Sequence, residues 1–169
     1  QVVLTATPGQ NSDFSGWSDP ACPGTGDCTL VLDGPQQITA TFDLAPRALS
    51  VSSSGSGTGS ITSEPAAIDC GSTCDASFDH GTQVVLTATA DEGMVFSGWS
   101  DPACPGTGDC TIVLDGPRQI TATFDLAPVP LTVSTLGGGT GSVTSEPAGI
   151  DCGSTCSVSY APGTTVTLM

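Results

Sequence analysis

The stretch Phe96-Ser97-Gly98-Trp99-Ser100-Asp101-Pro102-Ala103-Cys104-Pro105-Gly106-Thr107-Gly108-Asp109-Cys110 stands in the chain twice, its other copy running letter for letter from Phe14 to Cys28. It reads as an aromatic strand ending in a loop bracketed by two cysteines. Working outward, the identity continues to Pro35 and Pro117 with a single change, Leu30 against Ile112. At the same offset Gln1 to Thr7 returns as Gln83 to Thr89, and Asp69 to Cys74 as Asp151 to Cys156. Self-similarity at one fixed spacing marks a tandem array. A period of roughly 80 residues is long for a solenoid unit and suits a small domain with its own core.

The repeat sets the division of the chain. Residues 1–46 read as the C-terminal half of a unit, 47–128 as a complete unit, and 129–169 as the N-terminal half of another. The closing Thr165-Val166-Thr167-Leu168-Met169 aligns with Gln1 to Thr5, so the sequence reads as a window on a longer array.

The 22 Gly and 13 Pro, together with abundant Thr, Ser and Val, favour strands and tight turns over helices. Seven strands are expected in the complete unit. Ala48 to Ser53 and Gly57 to Ser63 should form a hairpin across a Gly/Ser turn, and Glu64-Pro65 then breaks the pattern. Asp75 to Asp79, Gln83 to Thr89, Val95 to Ser100, Thr111 to Leu114 and Arg118 to Phe124 follow. Val84 and Leu86 should face inward with Ala88, and Ile120 with Ala122 and Phe124. Phe96 and Trp99 lie three apart, which alternation would place on opposite faces, so a bulge at Gly98 is expected to turn Trp99 inward. The expected fold class is all-β: small tandem β-domains, β-grasp-like or sandwich-like. A core of about a dozen apolar side chains sustains only a marginal domain of this size, so covalent staples are expected.

All eight Cys recur at the repeated spacings C-x3-C and C-x5-C. Neither fits the C-x2-C pairs usual in zinc sites or the C-x-x-C of redox enzymes. Local disulfides are favoured: Cys22 with Cys28, Cys70 with Cys74, Cys104 with Cys110, Cys152 with Cys156. Cross-connected pairs and a metal site are the alternatives. Cysteines in such density point to an oxidising compartment, and no run approaches the ~20 apolar residues of a membrane helix.

Seventeen Asp and Glu face only two basic residues, Arg47 and Arg118, for a formal charge of −15. Binding to nucleic acid, or to an anionic membrane surface, needs clustered Lys and Arg that this chain lacks. The single His, His80, has Pro162 as its counterpart, so it reads as a turn residue rather than a catalytic base. No catalytic residue is assigned and no enzyme is expected. Cofactors are expected to be none, with one calcium alternative: Asp19, Asp27, Asp101 and Asp109 bracket the cysteine loops, although Asp is also the natural turn residue before Pro or Gly. Trp17 and Trp99 are candidates for sugar stacking, weighed against a role as the largest core side chain of each unit.

Gln83 to Thr89, the Phe96-Ser97-Gly98-Trp99 element, Cys110 to Asp115 and Ile120-Thr121-Ala122-Thr123-Phe124 together resemble the divergent internalin-type B-repeat of bacterial secreted and surface proteins. Leu49 to Cys74 resembles the front half of that repeat. The resemblance spans nearly the whole chain, in units longer than the usual repeat. It implies a small β-bead strung in tandem on an extracellular or cell-surface protein, with no catalytic residues to carry over. A stalk, spacer or fibre-forming segment is therefore expected, with neighbouring copies of the repeat as partners, head-to-tail. A glycan- or calcium-dependent adhesion module is the rival.

Overall fold

A computed structural model describes residues 1–71, 73–153 and 155–169; Ser72 and Ser154, inside the two short cysteine turns, lie outside the described residues. The elements are all strands: β1 (Val2–Leu4), β2 (Ser12–Trp17), β3 (Cys28–Leu30), β4 (Ala40–Leu44), β5 (Pro46–Ser54), β6 (Gly59–Glu64), β7 (Asp69–Cys70), β8 (Thr73–Asp79), β9 (Gln83–Ala90), β10 (Met94–Trp99), β11 (Cys110–Val113), β12 (Arg118–Leu126), β13 (Val129–Ser134), β14 (Val143–Glu146), β15 (Asp151–Cys152), β16 (Thr155–Tyr160) and β17 (Thr167–Leu168). Among the described residues no helix is long and apolar enough to cross a membrane.

Strands β5 to β12 make two four-stranded sheets, ordered β10-β12-β5-β8 and β11-β9-β6-β7. Their inward side chains meet in one core. Leu49, Val51, Ile120, Ala122 and Phe124 come from the first sheet, and Ile61, Val84, Leu86 and Ile112 from the second. The alternation expected from sequence holds in both long strands: Val84 and Leu86 are fully buried, as are Ala122 and Phe124, with Ile120 nearly so. This is the sandwich form of the expected small β-domain.

The expected hairpin at residues 48–63 is not formed. β5 pairs with β8 and, in parallel, with β12, whereas β6 pairs with β7 and β9 in the opposite sheet. The Gly/Ser turn is an arch carrying the chain across the core. Its glycines are required by contact rather than by hairpin geometry. A Cβ on Gly55 would lie 2.0 Å from the Phe124 carbonyl oxygen, and one on Gly59 would lie 2.4 Å from the Phe124 ring. Gly57 donates its N–H to that same carbonyl at 2.8 Å. The equivalent strands β13 and β14 are likewise unpaired with each other.

An eighth strand, the two-residue β7, was not anticipated. It follows a loop built around Ser63, whose hydroxyl accepts the Ile68 N–H at 3.0 Å and donates to the Pro65 carbonyl at 2.8 Å. Ile68 is thereby drawn into the core, 2 % exposed. Ser145 repeats this with Ile150 and Pro147. The N–H groups of Ile68 and Ile150 are buried and find their partner in the serine hydroxyl, so the serine is structural in both copies.

Candidate functional site

Two places distinguish this fold from a plain sandwich: the cysteine loop, and the joint where one unit passes into the next.

The loop begins at the bulge. Phe96 pairs with Phe124 but Gly98 pairs with Thr123, leaving Ser97 as the extra residue. The shift brings Phe96 and Trp99 to one face, their rings edge-to-face at 5.0 Å and 67°, a favoured aromatic geometry. Gly98 sits at φ 137°, and a Cβ there would approach the Gly106 carbonyl oxygen to 3.1 Å. The loop thus lies directly on the bulge. Trp99 Nε1 donates to the Gly108 carbonyl at 2.8 Å. Asp101 starts the loop, its Oδ1 accepting from the Ala103 N–H at 2.9 Å and its own carbonyl from the Cys104 N–H.

Cys104 and Cys110 are joined and buried at the loop's base. The first copy repeats the arrangement: the Phe14–Trp17 pair at 5.1 Å, Trp17 Nε1 on Gly26, the Asp19 turn, and Cys22 joined to Cys28. The C-x3-C pairs, Cys70 with Cys74 and Cys152 with Cys156, are also joined locally. Among the described residues no cysteine is free.

The carboxylates considered for calcium do not converge. Asp101 spends its second oxygen on Arg118 at 3.0 Å, a contact specific to this unit because Gln36 stands at the equivalent position in the first. Asp27 and Asp109 are exposed at the loop ends. Among the described residues no three His, Cys, Asp or Glu side chains gather as a metal cluster would require. Trp17 and Trp99 are half-buried against the two cores, and each indole N–H is engaged by its own loop.

Asp125 has a different task. Ser97, the bulged residue, donates to it at 2.6 Å, and the N–H and hydroxyl of Ser56 in the arch turn lie at 3.4 Å. The hydrogen bond from Ser97, followed by those from Ser56, holds this exposed carboxyl below its ordinary value. Asp43 accepts from Ser15 in the first copy.

At the joint, β4 ends at Leu44 and β5 begins at Pro46, so Ala45 alone separates the last strand of one unit from the first strand of the next. Ala45 is 7 % exposed. Its N–H donates to the Asn11 carbonyl at 2.9 Å, and its carbonyl accepts the His80 N–H at 3.0 Å. Arg47 adds a bond from NH2 to Asn11 Oδ1 at 2.8 Å. Asn11 sits at φ 62°, a left-handed turn position that Asn tolerates. The next joint keeps only part of this. Ala127 donates to Gly93 at 2.9 Å, but Pro162 replaces His80 and has no N–H, and Val129 replaces Arg47. The partners of Ala45 thus lie one on each side of it in the chain, Asn11 before and His80 after.

Residues 1–46 and 49–128 match the model of the divergent InlB B-repeat domain. Comparison with curated proteins and with solved structures returned no match. With both copies of the Phe-Ser-Gly-Trp strand and of the Thr-Ala-Thr-Phe strand inside the matched residues, the chain belongs to the divergent InlB B-repeat family.

Proposed function

We propose that this chain is a non-catalytic spacer in an extracellular or cell-surface bacterial protein, in which consecutive units at 1–46, 47–128 and 129–169 form a stiff stalk. The observation that carries this reading is Ala45. A joint of one residue, buried and hydrogen-bonded to the unit on either side, opposes the free hinging of an ordinary linker. The family membership and the four disulfides support an oxidising, extracellular setting. The uniform acidity supports it too, because like-charged neighbours repel and stay extended.

Small-angle scattering on polypeptides with increasing numbers of consecutive repeats tests the proposal. A stiff stalk gives a radius of gyration that rises in proportion to repeat number. Growth as the square root, the signature of freely jointed beads, would refute it. Titration with calcium and with a glycan panel, followed by Trp fluorescence, should leave the spectrum unchanged; a saturable change would favour the adhesion module instead.

A further inference from the structure

The chain enters the middle unit at β5 and leaves it at β12, and these two strands are the central pair of one sheet. They run parallel, Arg118 opposite Leu49 through Thr123 opposite Ser54. The start of β5 therefore lies at one end of the seam and the end of β12 at the other. Tension from the residues on either side draws β5 backward and β12 forward, along the strands and not across them. The evenly spaced bonds of a parallel ladder then share that tension and must give way together. Antiparallel first and last strands would have both chain ends at one end of the seam, where bonds peel away one at a time.

Both faces of this seam are reinforced. Inside, Leu49 and Val51 of β5 and Ile120, Ala122 and Phe124 of β12 belong to one buried core. Because side chains alternate along a strand, a slip of one residue would turn these out to solvent. Outside, Ser52 and Thr121 share a hydrogen bond at 3.0 Å, and Ser54 and Thr123 one at 3.1 Å. Where tension from the following residues arrives, the arch grips the end of β12. Gly57 donates to the Phe124 carbonyl at 2.8 Å, and the Leu126 N–H donates to the Ser56 hydroxyl at 3.3 Å. Both disulfides of the unit lie off this path, one joining β7 to β8 and the other at the base of the cysteine loop.

We infer that the β5–β12 seam is a mechanical clamp, which keeps the unit folded when the chain is pulled from both sides. This rests on the spacer reading, which supplies the tension. Forced unfolding is governed by the unfolding rate and not by equilibrium stability, so a unit with a small core can hold against pulling while remaining only modestly stable at rest.

Optical-tweezers pulling on the 169-residue chain tests the clamp by changing only the direction of force. Pro46, Pro117 and Pro128 are exposed and can each be replaced by a residue carrying a handle. Handles at 46 and 128 load the seam in shear, whereas handles at 46 and 117 stand at the same end of it and peel it. Shear should need several-fold the force of peeling and release a contour length of roughly 200–250 Å in one step. Thr121→Val together with Thr123→Val keeps the branched shape and removes both outer hydrogen bonds. That variant should lose force in shear and hardly any in peeling, and its contour step reports that it is folded. A shear force no greater than the peeling force overturns the clamp, as does a folded double variant that loses no more in shear than in peeling. Joint stiffness does not enter these forces, because both handles lie within or beside the unit. A loose joint seen by scattering would therefore defeat the spacer reading and leave the clamp standing.

Discussion

The backbone N–H of His80 reaches across a unit boundary to the carbonyl of Ala45, at 3.0 Å. Neither side chain takes part, and the bond requires only that residue 80 carry a donor. Pro162 cannot supply one at the next boundary. His80→Pro should therefore release one side of the first joint at a cost of about 1 kcal/mol, widening the orientations sampled by residues 1–44. Residual dipolar couplings of that segment should shrink while those of β5 to β12 stay unchanged.

Trp99 couples the core to the cysteine loop through a single hydrogen bond to Gly108. Trp99→Phe keeps most of the apolar contact and loses that bond, so urea unfolding should report a loss of about 1 kcal/mol. Trp99→Ala removes the ring as well and should cost about 3–5 kcal/mol. If the two variants were equally stable, the ring would contribute nothing to the core.

The disulfide at the base of the loop closes a short ring, with a sequence separation of 6. Replacing Cys104 and Cys110 together by Ala should lower stability by about 2 kcal/mol on the chain-entropy account and raise hydrogen exchange in residues 101–110. Sheet pairing elsewhere should persist, because the core of the middle unit reaches well beyond that loop.

Much of this was legible in the sequence and some was not. The bulge at Gly98 could be read because Phe96 and Trp99 are out of phase and a glycine stands between them. The alternation in β9 and β12 was equally plain. The arch at residues 55–59 was not, since Gly and Ser between two apolar runs look the same whether the chain folds back within a sheet or crosses to another. Only the proximity of Phe124, far along the chain, decides it. Ser63 carried a signal that went unread: the run Thr62-Ser63-Glu64-Pro65-Ala66 returns intact as Thr144 to Ala148. Of the candidate site residues, the cysteines were readable from spacing alone. The pairing of Asp101 with Arg118 was not, because nothing local links them.

The arch gives a steric test. Gly59→Ala would push a methyl group into the Phe124 ring and to 2.6 Å from the Thr89 carbonyl oxygen. Overpacking of this kind costs about 1–3 kcal/mol, whereas Gly108→Ala, with open space around it, should be close to neutral. Thermal denaturation of the pair checks both.

Asp125 ties the bulge to the arch, and its lowered pKa sets the sign of a pH effect. A carboxyl depressed in the folded state contributes stability above its unfolded value and loses it as the pH falls through the folded one. Ser97→Ala removes the largest cause, so the Asp125 carboxyl should titrate higher in an NMR pH series, and the part of the acid-dependent stability that Asp125 contributes should shrink. An unchanged titration would show that Ser97 does not hold it.

The stiffness of the boundary at Ala45 is tested most directly by aligning the chain weakly and measuring dipolar couplings in β2, β4 and β5 to β12. One alignment tensor should fit the strands on both sides of Ala45. Two tensors of different magnitude would mean that the units move independently, and the stalk would be a flexible string.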